Sequence, residues 1–87
     1  MLVFSIRGSI ADIDQTVEGE LRHPATVIIV ASAESLTRVI VDDSQLAGRE
    51  ELLTVGRKLE IFGEVHGFPR RAVHIADELR LVPDQLH

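Results

Sequence analysis

An all-β fold is what this sequence predicts: a five-stranded Greek-key barrel with one short helix between strands 3 and 4. Apolar and polar residues alternate near the start and again over Lys58–His66, the period of two that half-buried strands show. Residues 26–32 are rich in β-branched side chains, and a short connection at residues 33–35 leads into a second such run, Leu36–Asp42, so the two read as a hairpin. The period of two is lost over residues 44–55 and returns at Lys58, which places the helix.

Each element follows from its own pattern. Leu2, Phe4, Ile6 and Ile10 alternate with Ser5, Arg7 and Ser9, giving a first strand with one core face. Gly8 interrupts that face, as a bulge or sharp bend does when one strand serves both halves of a closed barrel. Residues 14–24 are polar, contain Gly19, end at Pro24 and read as a mobile loop. Strand 2 is apolar on both faces, so something should cover each side. Strand 3 places Val39 and Val41 on one face, Arg38 and Ile40 on the other. Leu46, Leu52 and Leu53 then sit among polar residues as helical turns ending at Gly56. Strand 4 turns Leu59, Ile61 and Val65 inward, and residues 67–69 make a turn tipped by Arg70 and Arg71. Residues 72–82 return as strand 5, with a frayed tail from Pro83. The expected core is Phe4, Ile6, Ile10, Val39, Val41, Leu59, Ile61, Val65, Ile75, Leu79 and Leu81.

At 87 residues the chain is expected to form a single domain, residues 1–87, with a thin stability margin that a partner or second copy would widen. With no cysteine there is no disulfide framework and no thiolate metal site, which fits a reducing compartment. Met1 runs straight into the alternating segment without the pattern of a secretory leader, and the longest apolar run, residues 27–31, is too short to cross a bilayer. The expectation is a cytoplasmic protein with no membrane contact. The net charge of −5 opposes bulk attraction to phosphates, yet Arg57, Lys58, Arg70 and Arg71 outnumber Glu60 and Glu64 between positions 56 and 76, so a local basic face remains.

Three stretches carry a family resemblance: residues 6–10 (IRGSI), 56–65 (GRKLEIFGEV) and 76–81 (ADELRL). Together they resemble the strand signatures of OB-fold single-strand-binding proteins, a rhythm shared by replication-factor-A-like, anticodon-binding and primosomal replication protein N domains. The resemblance spans nearly the whole chain and implies an OB-fold barrel. It also implies a ligand groove across strands 2 and 3, between the loop at residues 14–24 and the loop at residues 66–71.

Two readings of function follow, from different classes. In the first, the chain binds single-stranded nucleic acid, DNA or RNA, in replication, repair or RNA handling. Its binding residues would be Arg38, Arg57, Lys58, Phe62, Phe68, Arg70, Arg71 and His74, with Phe68 stacking on a base while Arg70 and Arg71 contact phosphate. The plainer reading of the second loop is a turn whose phenylalanine tucks into the barrel end and whose arginines stay solvated. In the second, the chain is a protein-interaction or self-association barrel whose outward Ile28, Val30 and Ile40 form an interface, because strands 2 and 3 carry no aromatic residue for stacking. A homodimer whose joined basic loops grip nucleic acid satisfies both. Histidines 23, 66, 74 and 87 lack metal-ligand spacing, no acid–base pair or nucleophile elbow occurs, and no phosphate cradle precedes a helix. The sequence therefore predicts no metal, no cofactor and no enzymatic activity.

Overall fold

Alternation over the N-terminal stretch produces one long strand, β1 (Leu2–Thr16), three residues longer than the pattern alone marks out. The computed structural model describes residues 2–16, 25–46, 50–67 and 69–82. The other strands are β2 (Ala25–Ala31), β3 (Leu36–Asp42), β4 (Lys58–His66) and β5 (Val73–Leu81), and they close into a barrel in the order β1-β2-β3-β5-β4. All pairings are antiparallel except β3 with β5, which run parallel through Val39 with His74 and Ile40 with Ile75.

Closure depends on β1 serving two neighbours. Its first half pairs with β4 and its second with β2, and Ser9 is the hand-over, opposite Lys58 on one side and Ala31 on the other. The irregularity that bends the strand falls between Ile10 and Asp12, leaving Ala11 as the extra residue, and not at Gly8. Gly8 answers a different need: a Cβ there would collide with the carbonyl oxygen of Ala31, so its bareness lets β1 and β2 approach.

Ile10, Ile28, Leu59, Ile61, Val30, Val39 and Val41 are the largest fully buried side chains, each contributing roughly 1.5–3 kcal/mol by leaving water. Phe4 and Ile6 are partly buried and pack against this core. Among the described residues Thr26 is a buried polar residue on the inner face, and its hydroxyl donates to Asp43 Oδ1 at 3.2 Å. The helical segment expected between strands 3 and 4 takes the form of two 3₁₀ turns, Asp43–Leu46 and Glu50–Leu52, which send Leu46 and Leu52 into the core. Residues 47–49 between them, with Gly48, lie outside the described residues, as do most of the first loop (17–24), Phe68 and the tail from Pro83.

Two expectations about facing and one about burial are corrected. Ile28 and Val30 do not point outward; both are 0% exposed inside the barrel, because Ile28 lies opposite Val39 and opposed residues share a face. Ile75 is not in the inner core. An irregularity opposite Phe62 and Gly63 leaves Asp77 unpaired in β5, which reverses the parity: Ala76 and Leu79 face inward, while Ile75 packs with the outer residues Ala25, Val27 and Ile40. Leu81 lies opposite the buried Leu59 but at the strand end, where it is half-exposed, and Val65 is only partly buried near the other end of β4.

Candidate nucleic-acid interface

The outer face of β2 and β3 is laid out in rows by the register. Asp14, Val27, Ile40 and Ile75 form one row; Ile29 and Arg38, flanked by Asp12, form the next; Ser9, Ala31 and Leu36 form a third. Apart from the exposed Asp14 this first row is aliphatic, and its centre is already covered within the chain: Ala25, Val27 and Ile40 are 3%, 6% and 4% exposed, and Ile75 packs against them. Ile40 is thus an outer-face residue as expected, but not an open one. Arg38 is exposed in the next row, because Val39 and Val41 take the inner face of β3.

The parallel register puts Arg38 beside the start of β5, and the β4–β5 loop leads into that strand. The loop is a tight turn. Gly67 adopts φ +78°, where an added Cβ would collide with the Arg71 carbonyl oxygen, and the Arg71 N–H donates to the Gly67 carbonyl at 2.9 Å. This leaves Arg70 and Arg71 exposed at the turn that leads into the start of β5, next to Arg38 in the parallel register. Phe68, expected as the stacking residue of this loop, lies outside the described residues.

The remaining expected contacts are elsewhere. His74 is opposite both Val39 and Val65, which turns it toward the barrel interior; its ring meets Phe4 edge-on, with centroids 4.9 Å apart. The parity change at Asp77 accounts for this position too. Phe62 is on the outer face of β4, away from β3, with Arg80 over its ring. Arg57 is half-buried at the start of β4 and ties that strand to β1, its carbonyl accepting from the Ile10 N–H at 3.0 Å. Lys58 is exposed beside it. Arg7 and Ser9 were not among the expected binding residues, because the basic excess between positions 56 and 76 does not include β1. Their signal was the alternation of β1 itself, which puts both on the polar face.

Among the described residues no group of His, Asp and Glu is placed to hold a metal, and no helix is long and apolar enough to cross a membrane. No family model matches this sequence, and neither does any curated protein. Solved structures do match. The chain superposes on a chain of the S. pombe Stn1–Ten1 complex with a TM-score of 0.71 at 25% identity, covering 97% of itself and 60% of that chain. It superposes on Rim1, a mitochondrial single-stranded DNA binding protein from S. cerevisiae, with a TM-score of 0.76 at 12% identity, covering 98% and 97%. The barrel is an OB fold. A third similar structure is the dimeric N-terminal domain of PriB from Thermoanaerobacter tencongensis, with a TM-score of 0.68 at 14% identity and coverage of 95% and 98%. The chain spans about 60% of the Stn1–Ten1 chain it matches and nearly the whole of the other two.

Proposed function

We propose that this chain is a non-enzymatic binding module of the cytoplasm that holds single-stranded nucleic acid across the outer face of β2 and β3. The observation that carries this reading is the grouping of three exposed arginines: Arg38 on that face, with Arg70 and Arg71 on the turn leading into the adjacent β5. Side chains on the strand 2–3 face and the loop joining strands 4 and 5 are what OB folds use to bind oligonucleotides. The likeness to Rim1, a single-stranded DNA binding protein, supports the same reading.

The chemistry is backbone neutralisation more than base readout. Guanidinium groups meet phosphate oxygens in bidentate fashion and release counterions, whereas the aliphatic row beside Arg38 has no aromatic residue on which a base would stack. With a net charge of −5, affinity is modest and falls as salt rises. Titrating a labelled single-stranded oligonucleotide at low and moderate salt tests the proposal. Saturable binding that weakens with salt supports it, and no binding to single-stranded DNA or RNA at low salt refutes it.

A barrel that pairs with another protein chain is the second reading. It is favoured by Val3, which projects outward from β1 and is 67% exposed, next to the half-exposed Leu2. The PriB domain is dimeric and the Stn1–Ten1 structure is a complex, so OB barrels of this shape do associate. Sedimentation velocity at concentrations well above micromolar separates a dimer from a monomer.

A further inference from the structure

Where β1 changes partner at Ser9, the outer surface of the barrel is indented. A cleft of about 320 Å³ opens there, lined by Arg7, Ser9, Ala31, Ser32 and Lys58. Its floor is held by the close approach of β1 to β2 that Gly8 permits. Its rim carries two cations on neighbouring strands, two residue pairs apart in register, with Gly8 and Leu59 between: Arg7 opposite Glu60, and Lys58 opposite Ser9. Diagonal neighbours of this kind stand about 7–8 Å apart, a spacing that brackets one tetrahedral anion. Lys58 is exposed and has no ion pair among the described residues. Arg7 reaches Glu60 at 3.6 Å, but its side chain is 67% exposed, and pairs this long and this wet are weak competitors for a guanidinium. The Ser32 hydroxyl is held near Ser35 within the β2–β3 hairpin, 3.1 Å between the two oxygens, and Ser9 lines the cleft directly opposite Lys58, two residues along β1 from Arg7.

From this geometry we infer that the cleft is a phosphate subsite for the same nucleic-acid strand, at the edge of the β2–β3 face where β1 meets β4; the inference rests on the single-strand reading above. Continuity decides the ligand. Ser9 is opposite Ala31, Ala31 is opposite Leu36, and Arg38 is two residues further along β3. Lys58 and Leu36 are therefore separated by three strand spacings, roughly 14 Å, and Arg38 is roughly 7 Å further along β3, or about 16 Å from Lys58 across the sheet, a span that a few consecutive nucleotides of one strand can cover. A strand held by Arg38, Arg70 and Arg71 continues over Leu36 and Ala31 and delivers a phosphodiester to Arg7 and Lys58. A free nucleotide would use the cleft without the track.

Fluorescence anisotropy with labelled oligothymidylates of roughly 4 and roughly 16 nucleotides, the limits of what one OB barrel covers, tests this. For the longer probe, the double variant Arg7→Ala, Lys58→Ala is expected to weaken binding three- to tenfold at low salt. It should also flatten the slope of log affinity against log salt by roughly 0.7, the step for the one phosphate that is no longer neutralised. Glu60→Gln removes the competing carboxylate and is expected to tighten binding of the same probe. If the unmodified protein binds the long probe and neither variant changes its affinity or slope, the subsite is wrong while the single-strand function stands. If the unmodified protein binds neither probe, both fall. Thymidine monophosphate as competitor is expected to displace the long probe only weakly; displacement at micromolar concentration that the double variant abolishes would assign the cleft to free nucleotide and overturn the proposal.

Discussion

The guanidinium of Arg80 lies over the ring of Phe62, its central carbon 5.2 Å from the ring centroid, while Arg80 Nε donates to a Glu78 carboxylate oxygen at 2.7 Å. That hydrogen bond and the Glu78 charge raise the Arg80 pKa above its ordinary value, so the cation over the ring persists at every working pH. One face of Phe62 is therefore taken by the protein's own arginine, and the ring is on β4, away from Arg38. Replacing Phe62 with Ala is expected to leave single-strand affinity within about twofold. A stacked base is worth about 1–3 kcal/mol, so a loss of that size in a titration would show that the ring does take part.

Core packing gives a sharper test. Ile61 is 0% exposed, opposite Ile6 on one side and Leu79 on the other. Ile61→Ala should cost roughly 2–5 kcal/mol in chemical denaturation. An effect below about half a kcal/mol would mean that Ile61 faces solvent and that β4 presents its other face to the core.

The strands whose faces were legible are those in which apolar and polar residues strictly alternate. In β4, Leu59 and Ile61 are buried between exposed or half-buried Lys58, Glu60 and Phe62, as the pattern requires. Strand β2 offered no such guide: Val27, Ile28, Ile29 and Val30 are all aliphatic, and only the register against Val39 and Val41 decides which pair is inside. In β5 the alternation was present but misleading. The unpaired Asp77 shifts the count by one, moving Ile75 outward and His74 inward, and a bulge leaves no mark in composition. In the proposed site, the exposure of Arg38, Arg70 and Arg71 was legible because charge seeks the surface. Their proximity was not, since it depends on the parallel contact between β3 and β5, which joins residues far apart in sequence.

Strand β2 has a direct consequence for mutagenesis. Ile28 and Val30 are interior, so Ile28→Asp places an unpaired carboxylate in the barrel at a cost of several kcal/mol, comparable to the whole stability of a domain this small. Circular dichroism should show an unfolded or aggregated chain. A folded, monomeric Ile28→Asp protein would restore the outward assignment of that residue.

Two glycines should respond differently to alanine. A Cβ at Gly63 would run into the carbonyl oxygen of Ile75 and crowd the ring of Phe4, so the backbone of β5 must shift; the expected loss is about 1–3 kcal/mol or more. At Gly56, φ is +92° and nothing is within 4 Å of an added Cβ, so only conformational strain of roughly 1–2 kcal/mol applies. Thermal melts of the two variants should place Gly63→Ala at or below Gly56→Ala. The reverse order would show that β4 and β5 are not so closely apposed at Gly63.

The arginines at the β4–β5 turn give the most direct test of function. Arg70 and Arg71 are exposed, and the turn they occupy is closed by backbone, through the Gly67 carbonyl and the Arg71 N–H, so truncating their side chains leaves its hydrogen bond in place. The double variant Arg70→Ala, Arg71→Ala should therefore keep the melting temperature of the unmodified protein within a few degrees. Binding should weaken, and the slope of log affinity against log salt should flatten by roughly 0.7 for each phosphate that loses its arginine. Arg38→Ala should flatten it further by a similar step, because Arg38 is on a separate strand and meets a separate phosphate. Phe68→Ala serves as the contrasting variant: a stacking residue would lose about 1–3 kcal/mol with the slope almost unchanged. If removing all three arginines leaves both affinity and slope as they were, the strand does not cross this face, and the track must be sought elsewhere on the barrel.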